Sequence, residues 1–331
     1  MSIETRAFAR AGLLGNPSDG YYGKIIAFSI KDFSSCVRLT PSEKLEIVAH
    51  PQDASLYRDL HSLVEQVDLY GYYGGVRLVK AAIVQFVRYC HDHSIPLEKK
   101  NFRMEYESGI PRQLGLGGSS AIITAVFRAL MEFYAVEIPL KVLPTLVLDA
   151  ELQELGINAG FMDRVIQVYE GCVYMDLDER LIAEQGHGCY ESLDPALLPP
   201  IYLAYKAALG KVSGRVLNDI RLGYDRGDRF VIDTLAQIAD LAELGRELIL
   251  LQEFEQLTEL MNRNFDLRSR IMQISENNLE LIRTARGCGA SAKFAGSGGS
   301  IIGTFRDEDM YQNLADALEK LGAKVLKPQI V

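Results

Sequence analysis

From Asn101 to Ser108 the apolar residues Phe102, Met104 and Tyr106 alternate with polar ones, the period of a half-buried strand. Upstream, in GVRLVKAAIVQFVRYC, the period lengthens: Leu78, Ala82, Phe86 and Cys90 recur at helical spacing, and ASLYRDLHSLVEQ reads the same way. Before these, GKIIAFSI, SCVRL and LEIVA are short β-rich runs separated by polar or Pro/Ser punctuation such as TPSEK. Further along, the pattern predicts a helix from about Ser120 to Tyr134, another around Lys141 to Leu155, and a strand at CVYMDL. Three prolines in DPALLPP interrupt both periods, so Asp194 to Pro200 is expected to separate two domains, 1–193 and 194–331. The second domain opens with a strand, IYLAY, followed by a helical stretch from about Arg229 to Met272 that breaks near Leu250. A helix (ENNLELIRTARG), two strands (SAKFAG, SIIGTF), a helix (DEDMYQNLADALEKLG) and a last strand (AKVLKPQI) complete a two-domain α+β chain.

Composition narrows the function. The 331 residues are 48% hydrophobic and 24% charged, as in ordinary soluble globular proteins. A net charge of -9 argues against a nucleic-acid binder, and no apolar run reaches membrane-spanning length. Five cysteines without a CxxC suggest neither a disulfide framework nor a zinc ribbon and fit a reducing cytosol. CHDH, Cys90 to His93, has metal-ligand residue types but ends a helix, where it reads as a polar terminus. The expectation is a cytoplasmic enzyme, monomeric or homodimeric, acting on small molecules.

The stretch Pro111 to Ala121, PRQLGLGGSSA, follows the alternating strand and precedes the apolar run IITAVFRALMEFY. Strand, glycine turn and helix start together aim unpaired backbone N–H groups and the positive helix end at one place, which favours an anion. It is not a Walker A loop, since GKS or GKT is missing, and GxGxxG is not met. A glycine-rich turn with serine caps shares the pattern, so a second signal is needed.

Two other segments supply it. ARAGLLGNPSDGYYGK near the start, PRQLGLGGSSA and KFAGSGGSIIGTF near the end together resemble, in order, the three motifs of the GHMP kinases. The resemblance implies a two-domain fold with ATP and substrate in the cleft between domains, and magnesium on the phosphates. It places the phosphates on Pro111, Gly115, Gly117, Gly118, Ser119, Ser120 and Ala121, with Gly296, Ser297 and Gly298 closing over the nucleotide. ELQELGINAGFMD, Glu151 to Asp163, is similar to a galactokinase run; by it Asp163 accepts the proton of the attacking hydroxyl, Arg10 orients that aspartate, and Glu151 with Ser120 holds magnesium. Read without the resemblance, Asp163 and Arg164 also suit a surface ion pair on a helix. The motifs depart from the family at three places: Asn16 for a glutamate, Gly118 for a serine or threonine, Ser300 for the last glycine.

Longer strings, among them GLLGNPSDGYYGK and MDRVIQVYEGCVYMD, resemble the branch that phosphorylates D-glucuronate at the anomeric oxygen. The change from a glutamate to Asn16 falls in the substrate-facing motif, where Asp19 is expected to meet sugar hydroxyls. A sugar acid also needs a cation for its carboxylate; Lys211 with Ser213, or Arg164, are the candidates. Galacturonate, L-arabinose or a heptose phosphate remain alternative substrates, and a silent nucleotide-binding relative an alternative role.

Overall fold

A computed structural model of the chain describes residues 2–49, 74–206 and 220–331. The helix expected at ASLYRDLHSLVEQ and the residues Lys211 and Ser213 lie outside these. In β1 (Ile3–Leu14) small side chains recur at alternate positions: Ala7, Ala9 and Ala11 are fully buried. Their size lets a helix lie close over that face, and the intervening Arg10 is turned to the opposite one. β2 (Lys24–Ser42) pairs antiparallel with β1 along one edge, Arg10 opposite Ser29. Two runs expected as separate strands, GKIIAFSI and SCVRL, are therefore one. Phe8 pairs with Ser34 but Ala9 with Ile30, so residues 31–33 form an irregularity where the strand can bend without ending.

The other edge of β2 is shared. β3 (Glu46–Ile47) and β4 (Asn101–Ser108) extend from its Ser35–Ser42 half, whereas β5 (Cys172–Asp176) and β6 (Cys189–Leu193) extend from its Lys24–Phe28 half. α1 (Gly75–Asp92) packs on α2 (Gly118–Tyr134), which covers β1 and β2. α3 (Leu143–Leu152) leans on both helices, α4 (Met162–Tyr169) follows, and a short α5 (Glu179–Gln185) is N-capped by Asp178.

Residues 194–200 lead from β6 to a second sheet. It begins at β7 (Ile201–Tyr205) and runs through α6 (Arg229–Leu251), α7 (Phe254–Arg270), α8 (Glu276–Gly287), β8 (Lys293–Phe294), β9 (Ser300–Thr304), α9 (Glu308–Lys320) and β10 (Lys324–Leu326). Its order is β10-β7-β9-β8, all antiparallel. The expected break near Leu250 is left-handed Gln252, which ends α6. Gly245 of α6 sits so near Leu14 that a Cβ there would come within 2.1 Å of its Cδ1, so this helix rests on β1. One hydrophobic cluster holds Phe28 and Phe127 together with Tyr202 and Phe294. A second, smaller cluster lies under α4. No helix among the described residues is long and apolar enough to cross a membrane.

Candidate active site

Between β4 and α2 the chain turns on two left-handed glycines, Gly115 (φ 65°) and Gly117 (φ 78°), the latter capping α2. A Cβ on Gly115 would stand 2.8 Å from the Ser297 nitrogen, and one on Gly117 would stand 2.8 Å from Gln167 Nε2. Both positions require glycine. The first intrahelical bond runs from the Ala121 nitrogen to the Gly117 carbonyl (3.1 Å), leaving the N–H groups of Gly118, Ser119 and Ser120 ahead of it. Gly118 and Ser119 stand at a cleft of about 450 Å³ whose wall also includes Pro111, Gly115 and Gly117.

Ser120 and Ala121 are not on that wall. Ser120 is fully buried and its hydroxyl donates to the Gly117 carbonyl at 3.1 Å, while Ala121 lies in the core. One residue turns a helix by about 100°, and it is Ser119 whose hydroxyl reaches Glu151, donating to Oε1 at 2.7 Å. The hydroxyl beside Glu151 is thus that of Ser119, one residue before the Ser120 expected to share magnesium with it. Glu151, 1% exposed, receives a second bond from Arg164 Nη2, and Arg164 Nη1 donates to the Gly160 carbonyl at 2.8 Å. One carboxylate beside one hydroxyl suits a magnesium ion completed by phosphate oxygens, not an all-protein cage. Among the described residues no group of three or more His, Cys, Asp or Glu is placed to hold a metal, CHDH included.

Asp163 is delivered by α4. Met162, Val165 and Ile166 of that helix pack with Ile25, Ala27, Val173 and Met175 in the smaller cluster, which leaves the Asp163 carboxylate facing β1. Arg10 meets it with a fork, Nε to Oδ1 and Nη2 to Oδ2, both 2.7 Å. The remaining Nη1 donates to the Gly115 carbonyl, and the Arg10 backbone nitrogen donates to Leu116 at 3.2 Å. A single buried arginine therefore ties the acid to the glycine loop. Burial pushes the Asp163 carboxyl up, but the charges of Arg10 and Arg164 outweigh it and hold the group below the ordinary aspartate value.

Asp19 behaves oppositely. It accepts from the Met162 nitrogen at 3.2 Å; burial and the neighbouring Asp163 charge push it up to about 6 against the pull of that bond, Arg10 and Arg164. Its carboxylate crosses so close to Gly160 that a Cβ there would be 2.1 Å from Oδ2. Asn16 also borders the cleft, yet its amide is engaged: Lys293 Nζ donates to Oδ1 at 2.5 Å and Nδ2 donates to the Phe294 carbonyl at 3.4 Å. Burial, then the charges of Arg268 and Arg10, hold Lys293 well below the usual lysine range. Asn264 of α7 fixes the same loop through the Gly15 nitrogen (2.8 Å) and the Asn16 carbonyl (3.0 Å).

Of the third glycine motif, Gly296 and Ser297 border the cleft and Gly298 does not. A Cβ on Gly296 would come within 2.1 Å of the Gly115 carbonyl, so the two glycine loops touch. Ser300, where the family motif has a glycine, donates its hydroxyl to the Leu114 carbonyl at 2.6 Å and pins the loops together. Three residues on or beside the wall are not among those the sequence reading singles out. Gln167 donates to the Gly117 carbonyl at 2.7 Å; Arg221 lies 4.5 Å over the Tyr21 ring and donates to the Gly20 carbonyl at 2.8 Å; Arg268 donates to the Gly296 carbonyl at 2.7 Å.

The model of the GHMP kinases N terminal domain matches residues 77–171, which hold the Gly115–Gly117 turn, Glu151 and Asp163. Glucuronokinase 1 of Arabidopsis thaliana is 44% identical over 307 residues, covering 91% of this chain and 84% of its own. Two solved structures are alike in fold. The Lin0012 protein of Listeria innocua gives a TM-score of 0.80 at 17% identity, over 100% of this chain and 98% of that one. The galactokinase of Lactococcus lactis complexed with galactose gives 0.75 at 16% identity, over 99% and 93%. Carrying a matched N-terminal domain and nearly half the residues of a plant glucuronokinase over most of its length, this chain belongs to the GHMP kinase family and is glucuronokinase-like.

Proposed function

We propose that the protein is an ATP-dependent kinase that phosphorylates D-glucuronate at its anomeric oxygen. The observation that carries this reading is the Arg10 fork on Asp163, whose third nitrogen holds the glycine turn of the same cleft. Likeness to a glucuronokinase over 91% of the chain supplies the sugar.

Phosphoryl transfer asks a protein chiefly for alignment and charge neutralisation. The anomeric oxygen forms a bond to the terminal phosphorus, the bond from that phosphorus to the ADP oxygen breaks, and the hydroxyl proton passes to Asp163. Arg10 fixes both oxygens of the carboxylate, so it stays ionised and in place until the proton arrives. The backbone N–H groups at the start of α2, with Gly296 and Ser297 opposite, take up the phosphate oxygens. Glu151 and Ser119 would hold magnesium, which when bound neutralises phosphate charge. Asp19, titrating near 6, can meet sugar hydroxyls as acceptor or donor. Five free cysteines suit the reducing cytosol as its place of work.

A panel assay tests the reading: ATP with D-glucuronate, D-galacturonate, D-glucose, L-arabinose or a heptose phosphate, following ADP and the sugar 1-phosphate. The highest kcat/KM is expected with glucuronate. Preference for a neutral hexose overturns the assignment.

A further inference from the structure

A sugar acid brings a negative group into the cleft in addition to the phosphates, and most cations nearby are already matched. Arg10 is committed to Asp163. Arg164, a candidate for the carboxylate on sequence grounds, is committed to Glu151 and has no free charge to offer. Lys293 is spent on neutral acceptors, Gly12, Asn16 and Phe294, and does not border the cleft. Arg221 has Asp225 at 3.8 Å and lies partly in solvent.

Arg268 differs. It is 2% exposed and borders the cleft, yet its partners are uncharged: Nη1 donates to the Gly296 carbonyl, and Nε lies 3.0 Å from Met272 Sδ. Among the described residues no carboxylate stands within 4.0 Å of it, and Nη2 has no acceptor. The guanidinium carbon is 5.3 Å from the Phe294 ring centre, which holds the plane in place. A charge taken this far out of water is costly unless an anion meets it, and an arginine fork matches a carboxylate in shape. Asp19 and Tyr21 border the same cleft and are near enough to act on Arg268 electrostatically, whereas Asp163 and the glycine turn hold the reacting end.

We infer that Arg268 receives the carboxylate of the sugar acid, with Asp19 meeting a ring hydroxyl and the anomeric oxygen directed to Asp163. This rests on the glucuronate reading above and names its specificity-determining residue. Because the carbonyl that holds Arg268 belongs to Gly296, which touches Gly115, an occupied Arg268 also steadies the contact between the two glycine loops.

Steady-state kinetics of the full chain and of Arg268→Gln and Arg268→Lys, with D-glucuronate, D-glucose and varied ATP, test it. Arg268→Gln is expected to raise KM for glucuronate about 100-fold, leave KM for ATP within about threefold, and bring the glucuronate-to-glucose ratio of kcat/KM close to one. Arg268→Lys, keeping charge without the fork, should raise KM for glucuronate about tenfold and retain some preference. It also serves if the glutamine variant does not fold. An unchanged sugar ratio in either folded variant, or a loss that falls on ATP instead, overturns the inference while leaving the glucuronate reading intact. A parent enzyme that prefers glucose overturns that reading, and the inference with it.

Discussion

Arg10 and Asp163, 153 residues apart in sequence, meet through two parallel hydrogen bonds of 2.7 Å. The fork fixes the direction of a carboxylate, which a point charge would not. Arg10→Lys should therefore lower kcat about 100-fold with little change in KM for ATP, and Asp163→Asn about 1000-fold. The pH profile follows from the same pair. Asp163 is held below the ordinary aspartate value, so its ionised form is complete well above that value, and the rate it supports is lost only as pH falls through the depressed one. Replacing Arg10 by Gln should move that acid limb of kcat/KM upward. A limb that stays in place in Arg10→Gln would show that Arg10 does not set the state of Asp163.

Much of this site is legible in the sequence, because it is carried by local signals. Gly115, Gly117 and Ser119 stand in one turn, and Arg10 is flanked by apolar residues on one strand. Choosing Ser120 over Ser119 is a matter of register: neighbouring serines at a helix start differ only in the direction they face, which spacing alone does not give. Arg268 is harder. It lies one turn after Asn264 on the buried face of α7, with Met261 and Phe265, so a polar pair on an apolar stripe is visible in ELMNRNFDLR. What the sequence cannot show is that no acid meets it, a property of the tertiary fold. Similarly, β2 reads as two strands because the polar residues near its irregularity look like punctuation, whereas β1 holds both halves.

Ser119 and Ser120 should separate cleanly under mutation. Ser119 Oγ lies on Glu151 at the cleft wall, so Ser119→Ala is expected to raise the magnesium concentration for half-maximal rate about tenfold or more. Ser120 Oγ instead bonds the Gly117 carbonyl, which also receives the Ala121 nitrogen and Gln167. Ser120→Ala leaves that acceptor satisfied and should shift stability by no more than about 1 kcal/mol, with kinetics unchanged. Magnesium titrations and thermal melts of both variants check this, and a reversed pattern would restore Ser120 as the metal-side hydroxyl.

Asp19 makes stability depend on pH in the direction opposite to Asp163. Its folded value, about 6, is above the ordinary 3.8, so the folded chain binds more protons than the unfolded one between these values. The contribution of this group is fully present below 3.8 and is lost as pH rises through about 6. Asp19→Asn keeps an oxygen for the Met162 nitrogen and removes the half-buried charge. In the absence of sugar, its melting temperature should exceed the parent's by more at about pH 8 than at about pH 4.5. An equal difference at both would mean that Asp19 is not raised in the folded protein.

Glu151 and Arg164 form a pair with side chains 1% and 5% exposed, and the pair supports the fold apart from any metal. Removing either partner strands the other charge away from water, so Glu151→Ala and Arg164→Ala should each destabilise by about 3–5 kcal/mol. The two losses should not add, because the double variant strands neither charge; urea unfolding of all four proteins measures the difference. Activity sorts the roles further. If Glu151 holds magnesium through the oxygen that faces Ser119, activity should stay low in the double variant even where stability is largely recovered, since Oε1 is gone whatever becomes of Arg164. Recovery of full activity along with stability would make Glu151 a counter-ion for Arg164 and nothing more.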